Sequence, residues 1–325
     1  MTDNHVVWLP FKLPQPDATA EDPANSLTIH YWDGSDTLPS DPAEVRFLVP
    51  PPWPGRDADL LEFILPKAQS LDVLQLLSSG YDSVRPWLPK LAPTTRVATA
   101  RGVHAEATAE LAVALLLAQV RGIDVFHRQQ ARHQWRQSVS STLVGKTVLV
   151  LGQGAVGRAV ASRLTAFGCR TVRVARTGRD TSDGRVHPVS DLPKLLPSVD
   201  AVVLCAPLTA ETHGLFGADA LSRLRTGAVL VNVARGEIVD TPSLVAQVEA
   251  GRLRAALDVV APEPLPADHP LWDLPGVLLT PHTAVLTDAF TDTSSAFLAE
   301  QLARYARGEE LMNVLPPAAG EPKDA

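Results

Sequence analysis

The sequence has few of the features that mark a disulfide-stabilised or membrane-inserted protein. Only two of its 325 residues are cysteines, and Cys169 and Cys205 do not have the paired spacing of a metal or thiol-redox site. We therefore expect no disulfide scaffold and no metal, and we expect a reducing compartment, the cytoplasm. No apolar run is long enough to cross a bilayer, and the N-terminal Met-Thr-Asp-Asn-His lacks the basic start of a secretory signal.

Charge and motif content narrow the functional classes further. The chain has 29 Lys and Arg against 36 Asp and Glu, a formal net charge of −7, and no block of basic residues. This balance argues against a nucleic-acid surface. A Gly-x-Ser-x-Gly turn, a Walker loop and a Cys-x-x-Cys pair are all missing, so hydrolase, nucleotide triphosphatase and redox-thiol functions lack support. We expect a small-molecule partner, with neither nucleic acid nor membrane.

The glycine-rich stretch at residues 147–160 is the most informative feature that is present. A β-branched run ends at Gly152, and an amphipathic helical pattern follows it. Gly152 allows a tight turn, Gly154 removes a Cβ that would block phosphates, and Gly157 lets helix and strand pack closely. We predict that the turn binds a dinucleotide pyrophosphate at the helix N-terminus, the alternative being a purely structural turn. The predicted contacts here are Gly152, Gly154, Ala155, Val156 and Gly157.

The second half of the chain alternates short apolar runs with helical patterns. Such strands, joined by helical crossovers, are typical of a parallel sheet covered on both faces. The predicted strands are Thr147–Leu151, Thr171–Val174, Ala201–Cys205, Ala228–Val233, Arg254–Val259 and Val277–Thr280. We therefore predict an α/β fold with a doubly wound parallel-sheet dinucleotide-binding domain.

The first hundred residues are richer in proline and carry shorter strand patterns, which indicates a second, smaller α/β domain. We predict that this domain is flavodoxin-like and binds the substrate. Its predicted strands are Val6–Leu9, Leu27–Tyr31, Val45–Val49, Leu71–Leu77 and Arg96–Ala98. The pattern at 105–120 predicts a buried linker helix, and the pattern after Thr287 is expected to return the chain to the first domain. The predicted domains are residues 1–100 with 287–325 for substrate and 101–286 for the dinucleotide, with a ligand cleft where they meet.

Three residues that could perform chemistry follow strand ends in the second half: Arg235, Glu263 and His282. In open parallel sheets the ligand crevice lies outside the carboxyl ends of the strands. Arginine offers a bidentate fork to a carboxylate, and histidine is a proton donor near neutral pH whose pKa rises beside a carboxylate. Together they predict reduction of a 2-oxo acid, with hydride from the cofactor and a proton from the imidazolium. Taken singly, each residue could also be a surface or structural group.

These segments resemble those of the D-isomer-specific 2-hydroxyacid dehydrogenases, which include glyoxylate/hydroxypyruvate reductases and phosphoglycerate dehydrogenase. The likeness is carried by Val231–Gly236, Leu257–Pro264 and Pro281–His282. It implies that the arginine of the first segment binds the substrate carboxylate and polarises the carbonyl. It also implies that the histidine is the acid/base and that the glutamate orients it.

The resemblance implies further contacts and an oligomer. The Ser-Ser-Gly-Tyr-Asp turn resembles the family's carboxylate loop, so the backbone N–H groups of Ser79 and Gly80 are expected to bind substrate. A homodimer through residues 105–120 is also implied. Additional cofactor contacts are expected at Thr108, Pro207, Val233 and Asp258.

The second predicted strand ends without the acidic residue that holds the ribose hydroxyls of NAD. Ala175 occupies that position, and Arg176, Thr177 and Arg179 follow it. These residues offer cations and a hydroxyl to a 2′-phosphate. We predict that NADP(H) is preferred and NAD(H) is possible, the alternative being a solvated basic loop.

The favoured interpretation is an NADPH-preferring reductase that converts small 2-oxo acids of the glyoxylate/hydroxypyruvate type to D-2-hydroxy acids. A dinucleotide-sensing, corepressor-like binding protein is an alternative from another class. An NAD(P)-dependent dehydrogenase of an oxyanion such as phosphite is a second enzymatic alternative. Trp53, which follows a proline run, is a candidate for either substrate contact or packing.

Overall fold

The computed structural model describes residues 5–14, 27–52 and 57–316, so Trp53 lies outside the described residues. The strands are β1 (His5–Leu9), β2 (Leu27–Tyr31), β3 (Val45–Leu48), β4 (Val73–Gln75), β5 (Arg96–Ala98), β6 (Thr147–Leu151), β7 (Arg170–Ala175), β8 (Arg179–Thr181), β9 (Gly184–Pro188), β10 (Ala201–Leu204), β11 (Ala228–Asn232), β12 (Leu253–Leu257) and β13 (Val277–Leu279). The helices are α1 (Asp57–Ile64), α2 (Ala105–Arg121), α3 (Ile123–Ala131), α4 (Ala155–Ala166), α5 (Leu192–Leu195), α6 (Ala218–Arg223), α7 (Thr241–Glu249) and α8 (Phe290–Ala306).

The chain divides into two compact units. The first consists of Met1–His104 and Asp288–Ala325, and the second of Ala105–Thr287. The chain therefore leaves the first unit after His104 and returns to it after Thr287. These limits lie within a few residues of the domain limits predicted from sequence.

The first unit contains a parallel sheet with strand order β2-β1-β3-β4-β5. This is the flavodoxin-like order, as predicted. Alternate residues of β1 enter cores on opposite faces: Trp8 packs with α1 on one face, and Val7 packs with Leu298 and Leu302 of α8 on the other. The alternation follows from the period of two along a strand.

The second unit contains a sheet with strand order β13-β12-β11-β10-β6-β7-β9-β8. All neighbouring strands are parallel except β8 and β9. Along β6, Leu149 and Leu151 enter one apolar core, while Val148 and Val150 enter the other. The predicted doubly wound α/β fold is confirmed, and the order reverses between β6 and β10, the place where such sheets bind ligands.

The sequence analysis missed the β8–β9 hairpin at the edge of this sheet. The six strands predicted for the second unit do not include Arg179, which is the first residue of β8. The side chains of β8 are all exposed, so this strand has no apolar alternation to reveal it. The Asp183–Gly184 pair, with Gly184 at a φ of 108°, was the available turn signal.

The predicted linker helix is α2, which ends one residue later than expected, at Arg121. Most of its side chains are buried, including Gln119, whose Nε2 donates to the carbonyl oxygens of Ala255 (2.8 Å) and Gly276 (3.1 Å). These bonds attach the helix to β12 and to the turn before β13. Among the described residues, no helix has the length and apolar character needed to cross a membrane.

The glycines between β6 and α4 meet different requirements. Gly152 has a φ of 98°, and a Cβ there would lie 2.7 Å from the carbonyl oxygen of Cys205. A Cβ at Gly157 would collide with the carbonyl oxygen of Gly152. A Cβ at Gly154 would meet nothing within 4 Å. Two of these glycines are therefore required by packing, and the third faces open space.

This contrast predicts different effects of adding one methyl group on stability. Gly157→Ala should lower the free energy of unfolding by about 2–3 kcal/mol, because the new Cβ forces helix and turn apart. Gly154→Ala serves as the matched control and should cost about 1 kcal/mol or less, from a poorer helix N-cap. Urea denaturation measures both variants, and equal losses would contradict this account of the turn.

Candidate active site

Three adjacent parallel strands bring the predicted catalytic side chains to one edge of the second sheet. Arg235 follows β11, Glu263 follows β12 and His282 follows β13. Because β11, β12 and β13 are neighbours in this order, their carboxyl ends lie side by side. The strand order therefore brings together three residues that are distant in sequence.

The imidazole of His282 is hydrogen-bonded to Glu263. The Nδ1 atom lies 2.9 Å from Oε2 of the carboxylate, and the other carboxylate oxygen, Oε1, accepts from the backbone N–H of Val260 at 2.9 Å. A carboxylate accepts hydrogen bonds, so Nδ1 carries the hydrogen and Nε2 points away from the pair. The histidine side chain is 46% exposed, which leaves Nε2 accessible to a substrate.

Local charges favour the ionised form of both partners. The pKa of His282 is raised overall, mainly by the hydrogen bond to Glu263 and also by the charges of Glu263 and Asp258. Burial and the charge of Arg235 act in the opposite direction and lower this pKa. Burial alone would raise the pKa of Glu263, but its hydrogen bonds from His282 and Val260, with the charges of His282 and Arg235, lower it overall. The raised pKa favours the protonated form of the imidazole near neutral pH.

A buried carboxylate fixes the turn that carries the imidazole. His282 has a φ of 51°, in the left-handed region, and its N–H donates to the backbone oxygen of Asp258 at 2.8 Å. The Asp258 side chain is 2% exposed and accepts from the Thr280 hydroxyl (2.6 Å), the Thr283 N–H (2.9 Å) and the Ala284 N–H (3.1 Å). These contacts assign Asp258 a role in the turn, and its predicted cofactor contact stays a prediction.

The turn that presents Arg235 is shaped by Asn232 and Gly236. The buried Asn232 amide donates to the carbonyl of Arg235 (2.9 Å), and its oxygen accepts from the N–H of Ala234 (3.0 Å). A Cβ at Gly236 would collide with the backbone of Val260. Glycine therefore lets the arginine turn pack directly on the loop that carries the glutamate.

The sequence analysis did not single out Asn232. Its available signal was a lone polar residue at the end of an apolar strand, since a buried amide needs hydrogen-bond partners. Val260 takes part through its backbone N–H, which no pattern of side chains reveals.

The glycine turn fits the pyrophosphate of a dinucleotide. Gly154 is the N-cap of α4, a helix of 12 residues, and the space where its Cβ would lie is open. Ala155 and Val156 form the first turn of this helix and are half-buried. Backbone N–H groups at a helix N-terminus favour an anion, and the turn lies at the β6/β10 switch point.

The other predicted cofactor residues of the second unit lie on three elements. Pro207 follows β10 and is exposed, and its carbonyl accepts from the Thr212 hydroxyl at 2.7 Å. Val233 directly follows β11 and is buried, and Thr108 is buried in the first turn of α2. Pro207 and Val233 therefore belong to the same sheet edge as the glycine turn.

The end of β7 has the composition predicted for a 2′-phosphate site. Ala175 is the buried last residue of the strand, and no carboxylate stands at this position. Arg176 and Thr177 form the following turn, and Arg179 begins β8; all three are exposed. Two arginines therefore follow, within four residues, the position at which NAD-binding proteins carry an acid.

Ser79 and Gly80 lie on the loop after β4 in the first unit. The Ala100 N–H donates to the Ser78 carbonyl at 2.9 Å, and the Ser78 hydroxyl donates to the Gly80 carbonyl at 2.7 Å. Within the described part of the chain, the backbone N–H groups of Ser79 and Gly80 donate to no acceptor. Such neighbouring free donors suit an anion, and their role with substrate stays a prediction.

Comparison with known proteins shows the family to which this chain is similar. The family described as "D-isomer specific 2-hydroxyacid dehydrogenase, NAD binding domain" matches residues 113–284. A glyoxylate reductase of Korarchaeum cryptofilum is 30% identical over 285 residues, which cover 80% of this chain and 82% of that protein. A D-3-phosphoglycerate dehydrogenase of Mycobacterium bovis is 34% identical over 300 residues, which cover 83% of this chain but 54% of that longer protein.

A solved structure shows the same likeness in three dimensions. The D-isomer specific 2-hydroxyacid dehydrogenase of Xanthobacter autotrophicus Py2, crystallised with NADPH and MES, superposes with a TM-score of 0.74 at 28% identity. The match covers 97% of this chain and 98% of that one. With the fold and the site already described, these likenesses show that the chain belongs to the D-isomer specific 2-hydroxyacid dehydrogenases, a family of NAD(P)-dependent oxidoreductases.

Proposed function

We propose that this protein reduces small 2-oxo acids of the glyoxylate or hydroxypyruvate type to D-2-hydroxy acids and prefers NADPH to NADH. The observation that carries the proposal is the 2.9 Å Glu263–His282 hydrogen bond beside the charge of Arg235. This combination offers one group that can transfer a proton and one that can hold an anion. The glyoxylate reductase relative, matched over most of both chains, supports the substrate class.

Arg235 anchors the substrate in this mechanism. Its guanidinium binds the carboxylate through two parallel hydrogen bonds, which fixes the orientation of the neighbouring carbonyl. Its positive charge also stabilises the negative charge that develops on the carbonyl oxygen during reduction. Asn232 and Gly236 hold the turn in which this arginine lies.

His282 supplies the proton. With its pyrophosphate held at the Gly152–Gly157 turn, bound NADPH would supply the hydride that the carbonyl carbon accepts. The imidazolium donates its Nε2 proton to the carbonyl oxygen, and Glu263 accepts the Nδ1–H bond throughout. In the opposite direction, neutral Nε2 takes the hydroxyl proton. The glutamate therefore both orients the ring and stabilises its charged form.

The end of β7 supports the NADPH preference. With Ala175 in the usual place of an acid, no carboxylate there repels a 2′-phosphate. Arg176, Thr177 and Arg179 offer charge-assisted hydrogen bonds to it. The solved relative from Xanthobacter autotrophicus holds NADPH, which supports the same preference.

Oxidation of 3-phosphoglycerate is the second candidate activity. It is favoured by the likeness to the mycobacterial D-3-phosphoglycerate dehydrogenase, of which this chain spans about half the length. The corepressor-like and phosphite-type alternatives are separated from both candidates by turnover assays. The predicted homodimer and cytoplasmic location remain part of the proposal.

The first test is turnover followed by nicotinamide absorbance. We expect oxidation of NADPH with glyoxylate or hydroxypyruvate, and loss of at least about 10²-fold in kcat in His282→Ala, because proton transfer is removed. His127→Ala, which changes an exposed histidine of α3, serves as the control and should keep its activity. Tight NADPH binding without turnover of any 2-oxo acid, including pyruvate and phenylpyruvate, would refute the proposal and favour a sensor. Phosphite and 3-phosphoglycerate, each assayed with NADP⁺ and NAD⁺, complete the substrate set.

The pKa shifts predict a pH dependence for Glu263→Gln. Reduction needs the imidazolium, so kcat/KM should fall as the pH rises through the raised pKa of His282. Loss of the carboxylate lowers this pKa, and the fall should therefore move to lower pH. Near neutral pH we expect a loss of about tenfold or more, since positioned proton transfer contributes roughly 10²- to 10⁴-fold.

The control for this variant is Glu237→Gln, which removes an exposed carboxylate near the arginine turn. Its pH profile of kcat/KM should match that of the unmodified enzyme. A Glu263→Gln profile that is unmoved, or that moves to higher pH, would rule out the assigned role of the glutamate.

The cofactor preference should depend on Arg176. In Arg176→Ala we expect kcat/KM for NADPH to fall by roughly 10- to 100-fold, because a charge-assisted hydrogen bond contributes about 1.5–3 kcal/mol. The value for NADH should change little. Arg185→Ala, which removes an exposed cation paired with Asp180 in the same hairpin, is the matched control. Equal losses for both cofactors, or an unmodified enzyme that prefers NADH, would disprove the 2′-phosphate site.

A further inference from the structure

A buried histidine of the first unit lies next to the loop proposed to bind the substrate carboxylate. His104 is 5% exposed and is the last residue before the chain passes into the second unit. Its ring stacks on Phe290, with ring centroids 4.8 Å apart and an angle of 14° between the planes. Its Nε2 lies 3.4 Å from the Ser294 hydroxyl, and the ring also hydrogen-bonds to the backbone of Leu77.

The two ring nitrogens have complementary partners. Burial lowers the pKa of His104, and the hydrogen bond to the Leu77 backbone opposes this change. A neutral imidazole has one donor and one acceptor nitrogen. A hydrogen bond that raises the pKa of an imidazole stabilises its protonated form, in which both ring nitrogens are donors. The ring is therefore the donor in this bond, and the Leu77 carbonyl is the acceptor. Its Nε2 accepts from the Ser294 hydroxyl. Both hydrogen-bonding groups of this buried ring are used.

The contact with Leu77 matters because this residue begins the carboxylate loop. Leu77 directly precedes Ser78, whose carbonyl accepts from the Ala100 N–H at 2.9 Å. The free N–H groups of Ser79 and Gly80 come next. On the other side of the ring, Phe290 and Ser294 belong to the first two turns of α8. The histidine therefore joins the base of the carboxylate loop to the start of α8, within the first unit.

We propose that His104 is a positioning residue that holds the Leu77 carbonyl against α8 and thereby aims the N–H groups of Ser79 and Gly80 at the substrate carboxylate. This inference rests on the proposed function, in which that loop binds a 2-oxo acid. The residues proposed to transfer the proton and to polarise the carbonyl belong to the second unit. Loss of the histidine's hydrogen bonds should therefore affect substrate binding and leave the chemical step unchanged.

His104→Phe is the most direct test. Phenylalanine keeps a flat, buried ring beside Phe290 but leaves the Leu77 carbonyl and the Ser294 hydroxyl without their partner. We expect KM for glyoxylate to rise by roughly tenfold, the effect of leaving a buried polar group unpaired, with kcat within about twofold. The dissociation constant of NADPH should not change.

Two conservative variants refine the test. His104→Gln keeps one amide donor and one acceptor, so it should restore most of the lost substrate affinity. Ser294→Ala removes only the long, 3.4 Å bond to the hydroxyl and should raise KM by about threefold or less. If His104→Phe does not fold, these two variants still test the proposal.

Tyr305→Phe is the matched control. Tyr305 lies on the same helix, and its hydroxyl donates to Asp72 at 2.8 Å. Asp72 precedes β4, whereas Leu77 follows it, so this bond lies at the opposite end of the strand. Removing it should lower the melting temperature without changing KM for glyoxylate.

Calorimetric titration with oxalate, an unreactive analogue of glyoxylate, separates this inference from the proposed function. Weaker binding of oxalate to NADPH-saturated His104→Phe, but not to Tyr305→Phe, would support the positioning role. An active enzyme whose KM is unchanged by His104→Phe, or raised equally by Tyr305→Phe, would overturn that role and leave the proposed function intact. An unmodified enzyme that neither reduces a 2-oxo acid nor binds oxalate would overturn both.

Discussion

Parallel pairing of β11, β12 and β13 is the constraint on which the candidate site depends. Each strand ends at the same edge of the sheet, so the loops after them must lie side by side. Residues separated by as many as 47 positions, from Arg235 to His282, thereby share one electrostatic environment. Parallel strands need crossover connections of about a dozen residues or more, which is why the proposed catalytic residues are so widely spaced in the chain.

The charged groups at this edge shift the pKa of His282 in opposite directions. Glu263 favours the charged imidazole, whereas Arg235 opposes it. The charge of Arg235 therefore limits how far Glu263 raises the pKa of His282, which suits the acid/base role proposed for this histidine. Asp258 adds negative charge nearby and holds the turn through several hydrogen bonds.

Close approach of backbones explains why glycine recurs around this edge. Gly157 and Gly236 occupy places where a Cβ would collide with a carbonyl oxygen of a neighbouring segment. Gly154 has an open space instead, at the start of a helix whose N–H groups favour an anion. The same residue type therefore serves packing at two positions and leaves open space beside a helix N-terminus at the third. Only the surroundings of each glycine distinguish these two uses.

Features that depend on short-range patterns could be predicted from the residues alone. The apolar run of β6, the glycine turn after it and the apolar helix α2 were all predicted within a residue or two, because strand and helix periodicity are local properties. The exposed β8–β9 hairpin has no such pattern and was missed. The groups that contact Asp258 and His104, by contrast, follow from the tertiary structure. The partners of His104 and Asp258 come from distant parts of the chain, up to 190 positions away for His104 and Ser294. Such contacts arise because sheet order and helix packing bring distant segments together, and no local pattern of residue types encodes them.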